Sequence, residues 1–415
     1  MKKTSGCLWC WITVAVLVAG SLGEAAGGDE QRLPLSAYRI YRGETHAHTV
    51  YTWSHGGHRV KNGSGALLAD WDQENYRNYQ GPPWQYFERA KAKGFDFFVV
   101  SDHTQEKPLQ PVDARRNEAW LATLAAARKY TDKTFVAMAG FEFSRNAPFD
   151  GDKTGIGHMN GINAAEYVNA EFTSIPRFYE WLQQAAPAPG GGCVVASFNH
   201  PGRTQYQDWA YLDKGVVDVI TMFELRTVYR GAPRWAAYVR ALNKGWKVSP
   251  ISVTDSHGYW HLDNIPPLTH VLATDLTKTA LTQAMRQRRT YTSWAGERKT
   301  RVDLKYSVNG YVMGSTLDRP TKLAFHVEIA TPQDDAGQRV RRIQVLRNHP
   351  TDLDRTEVAA EAQFDGDAHE VVWTPTIEDS AGRWFLLRVH HNNDMTDGVF
   401  NEHGSTYAAP VWTGR

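Results

Sequence analysis

Cysteine is scarce, with three residues in 415, and Cys7 and Cys10 both stand at the extreme N-terminus. If that stretch is removed, Cys193 alone remains. No internal disulfide can then form, so stability must come from a core and from any bound metal. Cys193 opens the apolar run "CVVASFNHP" and reads as a small buried hydrophobe rather than a nucleophile. An excess of either charge is also lacking: 46 Lys and Arg face 45 Asp and Glu, and no block of basic residues occurs. That balance excludes the electrostatic footprint of a nucleic-acid or lipid-surface binder. Low-complexity tracts are absent.

Long apolar runs are missing as well. The stretch Leu8 to Val18 is too short to span a bilayer comfortably. It follows Lys2 and Lys3 and precedes Gly23-Glu24-Ala25, the layout of a cleaved signal peptide over residues 1–25. The expected location is therefore periplasmic or secreted, without stable membrane association after cleavage; an uncleaved anchor is the alternative. No cysteine follows the cleavage point closely, which argues against a lipoprotein.

What is present is aromatic and histidine-rich: 15 Trp, 18 Tyr and 16 His. The aromatics read as wedges in a large core. From Tyr38 to about Thr292, short apolar runs (95–103, 134–143, 193–201, 216–225, 246–257, 269–275) alternate with helical patterns (84–93, 118–130, 176–186, 234–244, 276–289). The last helix is expected to continue into "TYTS". This alternation predicts a parallel α/β architecture, barrel or open sheet. After Trp294, "RVDLKYSVNG", "KLAFHVEIA" and "RWFLLRVHH" alternate with period two, which predicts a small all-β, sandwich-like segment over 296–415.

Polar residues capable of binding metal stand where the strands end. They are His46 and His48, Asp102-His103, Glu142, His158, His200, and Asp255 with His257. In a barrel the carboxyl ends of parallel strands share one mouth, so these groups would converge. His-x-His on a strand sends both imidazoles to one face, and imidazoles with a carboxylate suit Zn, Mn or Fe. Glu142 can bridge two ions through its two oxygens, with a hydroxide held between the paired ions. Asp102 is a candidate for orienting a ligand rather than binding metal. His58, His261 and His270 read as satisfied core or cap residues. His326, His349, His369, His390, His391 and His403 read as surface histidines of the β segment.

The motifs "THAHT", "VVSDHT", "GFEFS", "GHMNGIN", "SFNHPGR" and "VTDSHGY", in that order, resemble the polymerase and histidinol phosphatase (PHP) superfamily. "GHMNGIN" after "GFE", together with the trailing "AAPVWTG", is similar to its exported, carbaryl-hydrolase-like and DUF3604-like branch. The resemblance runs from about residue 40 to the C-terminus. It implies a distorted (βα)7 barrel over 26–295 with a site for two or three divalent ions. His46, His48, Glu142 and Asp255 would hold the first ion, and Glu142, His158 and His200 the second. His103 and His257 would hold a third, with one more ligand from the loop after His48. Where family members place an Asp or His in that loop, this chain reads "YTWSHGGH", so His55 is the choice and His58 the second.

The expected activity is hydrolysis of a small-molecule phosphate ester by metal-activated water, with Glu142 and Asp255 in the catalytic machinery and Arg203 and Arg226 on the phosphate. Glu224 is a weaker candidate for orienting a ligand. A carbamate, carboxylic ester or amide substrate on the same metals is the alternative; an aromatic-lined mouth, with Trp53, Trp71 and Trp84 nearby in sequence, would favour neutral aryl groups. A non-catalytic exported metal-binding protein is the third reading. The sequence does not encode a legible oligomeric state.

Overall fold

A computed structural model describes residues 32–53, 80–110, 113–147, 155–210, 214–227, 234–266, 268–293, 301–366, 368–396, 399–400 and 406–414. The signal-peptide stretch and the loop carrying His55, His58 and Trp71 lie outside these residues, as does His403. Among the described residues no helix is long and apolar enough to cross a membrane.

The protein is mixed α/β. Nine strands make the N-terminal part of a large sheet: β1 (Arg39–Glu44), β2 (Phe97–His103), β3 (Val136–Arg145), β4 (Gly157–Ile162), β5 (Val195–Asn199), β6 (Ile220–Thr227), β7 (Ser249–Val253), β8 (Thr269–Ala273) and β9 (Thr290–Ser293). Among the described residues, five helices of nine residues or more accompany them: α1 (Pro83–Ala92), α2 (Glu118–Tyr130), α3 (Ile175–Gln184), α4 (Trp235–Asn243) and α5 (Lys278–Arg286). Helix starts follow local chemistry. Pro83 opens α1, where a missing N–H costs nothing. Asn117 caps α2 by accepting from Trp120 N–H at 2.8 Å, and Thr277 caps α5 through Ala280 N–H.

The sheet runs β9-β8-β1-β2-β3-β4-β5-β6-β7 and is not all parallel. β1–β2–β3 and β5–β6–β7 are parallel, whereas β4 is antiparallel to both its neighbours, as is β8. Beyond the ends of β1 and β7, a parallel bridge joins Ala47 to Ser256. Sequence pattern overlooks β4 because "GHMNGI" has the composition of a loop. The glycine is in fact what lets the strand pair there: a Cβ on Gly161 would lie 2.6 Å from the Phe141 ring. β9 departs from the expected helical continuation. α5 stops at Arg286, Arg288 takes a left-handed φ of 62°, and β-branched Thr290 and Thr292 then pair as strand.

Alternation along the strands separates two cores. Phe98, Val100, Ala137 and Ala139 face helices α1 to α4, while Phe97, Val99, Val136, Met138, Met222, Ile251 and Val253 form a second cluster on the opposite face, with Leu281, Ala284 and Met285 of α5. Both faces are buried, which explains the continuous apolar runs in the sequence. Cys193 is half-buried against the second cluster.

The described residues between 303 and 413 form further strands, most of them in two sheets that share one apolar core, including Leu304, Tyr306, Ile343, Val345, Leu387 and Val389; Met395–Thr396 and Val399–Phe400 pair separately. One of these sheets is continuous with the N-terminal one, since strand Thr406–Ala408 pairs antiparallel with β9. Strand Trp384–His391 buries both its faces. Phe385 and Leu387 enter the C-terminal core, and Trp384 and Leu386 pack on the N-terminal one. Trp384 Nε1 also donates to Asn243 Oδ1 at 3.0 Å. The expected boundary near 295 falls in residues 294–300, outside those described.

Candidate metal centre

The second face of the sheet turns from apolar to polar toward one end. Two-residue steps lead from Val99 to Ser101 and His103 on β2, and from Met138 to Gly140 and Glu142 on β3. They lead likewise from Val195 to Ser197 and Asn199 on β5, from Met222 to Glu224 on β6, and from Val253 to Asp255 after β7. His158 reaches the same end from the start of β4 because that strand runs the other way. His46 and His48 flank Ala47, which packs in the helix-facing core, so both imidazoles project away from it.

The structure thus brings His46, His48, His103, Glu142, His158, His200, Asp255 and His257 together. His46 Nε2 and His48 Nε2 face each other at 3.0 Å. Asp255 Oδ1 lies 3.4 and 3.0 Å from these nitrogens, and Glu142 Oε2 lies 3.5 and 3.6 Å from them. His103 Nε2 is 2.7 Å from Glu142 Oε2. On the other oxygen, Glu142 Oε1 meets His158 Nδ1 at 3.1 Å and His200 Nε2 at 3.3 Å. His257 stacks on His48 with ring centroids 4.2 Å apart, and its Nε2 lies 3.7 Å from Asp255 Oδ1.

Among the described residues, three groups could therefore hold a metal ion: His46 with His48 and Asp255, His48 with His103 and Glu142, and Glu142 with His158 and His200. The donor chemistry fits. Ligands at about 2.1 Å from an ion in a tetrahedron sit about 3.4 Å apart, the range seen here between His46, His48, Asp255 and Glu142. Glu142 Oε2 is completely buried, with His103 Nε2 at 2.7 Å and the inward nitrogens of His46 and His48 at 3.5 and 3.6 Å. A buried carboxylate oxygen so crowded by imidazole nitrogens is costly unless a cation, proton or metal ion, sits between them.

The outward nitrogens are anchored, as ligand imidazoles require. His46 Nδ1 donates to Glu224 Oε1 at 2.7 Å, and Glu224 Oε2 accepts the His200 backbone N–H at 2.7 Å. His48 Nδ1 is 3.1 Å from Thr52 Oγ1, which in turn donates to Asp102 Oδ1 at 2.8 Å. His103 Nδ1 pairs with Glu106 Oε1 at 2.8 Å, and His158 Nε2 with Asn146 Oδ1 at 2.7 Å. Asn199 Nδ2 donates to Glu142 Oε1 at 3.0 Å and to Asn160 Oδ1 at 2.8 Å, fixing the carboxylate plane. Glu44 accepts from Thr45, His46 and Thr254 N–H groups and so ties the end of β1 to the segment after β7.

Electrostatics follow from this crowding. Burial alone would lower His46, but the Glu224, Glu142 and Asp255 carboxylates outweigh it and hold the imidazole well above its ordinary range. His103 is pushed up to about 10 for the same reason, with burial opposed by Glu142 and Glu106. His48 falls to about 4 through burial and the neighbouring His103 charge. Glu142 lies well below its usual range because His46, His158 and His103 overcome its burial. Glu44 rises to about 8 and Asp102 to about 6, chiefly by burial.

Several expectations change on contact with the structure. Arg203, with a 62% exposed side chain, pairs with Asp354 of the C-terminal region rather than pointing into the cluster. Arg226 is buried, with its guanidinium 5.8 Å from the centroid of the Tyr407 ring. His369, His390 and His391 are buried rather than superficial. His391 bonds Gln338 O and Thr406 Oγ1, and His369 bonds Thr331 Oγ1, so these are satisfied core histidines. His270 is buried and stacked on Tyr291. Glu106 and Asn199 went unnoticed because a carboxylate or amide that serves a ligand carries no motif of its own. Glu106, three residues after His103, was the more legible of the two.

Glu224→Gln should lower metal affinity or turnover by about 10- to 100-fold with the fold intact, since it removes the charged partner of His46. Metal content after dialysis reads this directly; unchanged retention would deny Glu224 its positioning role.

Together these features define a mixed α/β protein with a buried, multi-imidazole, carboxylate-centred cluster. No protein-family profile matches the chain, and no curated protein does. Among solved structures, a β-glucosidase from Listeria innocua in complex with gluconolactone is similar at a TM-score of 0.18 and 11% identity, over 50% of this chain and 39% of that one. The chain thus spans well under half of that enzyme's length, and a likeness so low bears on neither fold nor activity.

Proposed function

We propose that the protein is a metal-dependent hydrolase of the PHP type, acting on a phosphate ester. In this reading β1 to β7 form a distorted (βα)7 barrel, closed where Ala47 bridges Ser256. One observation carries the proposal: Glu142 turns one oxygen toward His46, His48 and His103 and the other toward His158 and His200. A carboxylate so shared, with Asp255 beside it, suits two adjacent divalent ions of Zn, Mn or Fe, and His103 with His257 would offer a third position.

When bound, such ions supply an acidified water and polarise the ester being cleaved. The chain's own residues do the rest. Glu224, Thr52 and Glu106 hold the outward imidazole nitrogens, so the inward ones keep a single orientation. Completely buried His46, His48 and Glu142 make a dry floor, while the half-buried His158, His200 and His257 leave one side open to substrate.

The test is metal analysis of protein purified without chelator, followed by assay on p-nitrophenyl phosphate, bis-p-nitrophenyl phosphate and 1-naphthyl N-methylcarbamate with Mn, Zn or Fe added. Phosphate-ester turnover that chelation abolishes is expected. Hydrolysis of the carbamate alone would replace the substrate class, and no ion with no turnover would reject the enzyme.

A further inference from the structure

We propose that a hollow of about 780 Å³ beside the histidine cluster is a substrate subsite for a flat aromatic group carrying a negative charge. Val50, Tyr51 and Trp53 line it from the loop after β1, and Lys107, Pro108 and Arg116 from the segment between β2 and α2. Its size falls within the range of small-molecule sites, about 300–1,000 Å³.

Two observations set the chemistry of the occupant. Trp53, Tyr51 and Pro108 present aromatic and apolar surface, with rings on which a planar group stacks. Lys107 Nζ stands 5.6 Å from the centroid of the Trp53 ring and supplies the cation; the exposed Arg116 on the same wall is paired with Asp113 at 3.5 Å. A flat anion satisfies both faces at once, whereas a neutral ring satisfies only one. Glu118 on the same wall and Asp113 near Arg116 disfavour a dianion that would approach them closely.

The position sets the occupant's role. Glu106 accepts the Trp53 backbone N–H with one oxygen and holds His103 Nδ1 with the other at 2.8 Å. Glu106 therefore ties Trp53 of the hollow to His103 of the metal-binding group. Binding energy from a non-reacting part of a substrate can be spent at the bond that breaks. The assignment of the occupant as part of a substrate rests on the hydrolase reading, whereas the binding site itself does not.

Binding of 2-naphthoate and 2-naphthol to EDTA-treated full-length protein, followed by saturation-transfer NMR, tests the subsite without metals or turnover. Wild-type protein should bind the naphthoate at least about fivefold more tightly than the naphthol. Lys107→Glu should erase that preference, and Trp53→Ala should weaken both ligands by about tenfold. Binding that neither substitution alters, or no binding at all, overturns the subsite. Phosphate-ester turnover by the metal-loaded wild type is measured apart, so a failed subsite leaves the hydrolase reading standing, and the reverse.

Discussion

Glu142→Gln protein is expected to fold, to lose most of its bound metal, and to lose hydrolysis by at least about 10³-fold, the upper end of what one fixed electrostatic group supplies. The substitution keeps volume and shape. Asn199 Nδ2 donates to Oε1, so the glutamine must place its own oxygen there and turn its NH2 to the position of Oε2. That position faces His46, His48 and His103. An acceptor at the meeting point of three imidazoles becomes a donor, and the set with Asp255 loses its shared carboxylate. His158 and His200 keep an oxygen opposite them, so residual metal should be that of the weaker pair. Near-UV circular dichroism controls for folding, and metal analysis with the p-nitrophenyl esters reads the effect. Wild-type metal content and turnover in this variant would remove Glu142 from the centre of the site.

Metal uptake by metal-free protein at pH 7 should release about two protons, and apparent affinity should climb roughly 100-fold per pH unit near neutrality. The sign follows from the imidazoles. Glu224, Glu142 and Asp255 raise His46, and Glu142 with Glu106 raises His103 to about 10, so both are protonated at pH 7 when no ion is present. A cation can bind their inward nitrogens only by displacing those protons. His48, lowered to about 4, is already neutral and releases nothing. Without metal, His103 adds stability that is fully present below about 6.5 and disappears as pH rises through about 10. Calorimetric titration with MnCl2 or ZnCl2 in buffers of different ionisation enthalpy counts the protons. Heats independent of buffer would mean that these histidines enter the cluster uncharged.

The two expectations differ in how much sequence they needed. Glu142 stands in "GFEFS", at the end of a β-favouring run, and parity along such a run is enough to set it on the face of Met138. His103 and Asp255 yield to the same argument, counted from Val99 and Val253, and His46 and His48 share one face because they stand two positions apart. His200 does not: it stands one step out of phase with Ser197 and Asn199 and takes a positive φ of 28°. Nor does His158 yield to it. "GHMNGI" has the composition of a loop after a strand, whereas it is a strand entering from the opposite direction, with Gly161 needed for close packing against Phe141. Arg203 had the right residue type in the right motif, yet Asp354, distant in the chain, takes its guanidinium. His390 and His391 look superficial in an alternating strand, but that strand is covered on both faces.

By itself, then, the order of amino acids determined which donors this protein owns and which side of each strand carries them, because alternation is a local property of extended chain. Only tertiary structure decided which carboxylate oxygen meets which imidazole, that Glu224, Glu106 and Asn199 serve the ligands, and that the arginines are engaged elsewhere. The reason is geometric. Hydrogen bonds and metal coordination depend on tenths of an ångström and on angles between groups far apart in the chain, and these are set by strand order and direction, about which a residue pattern carries no information.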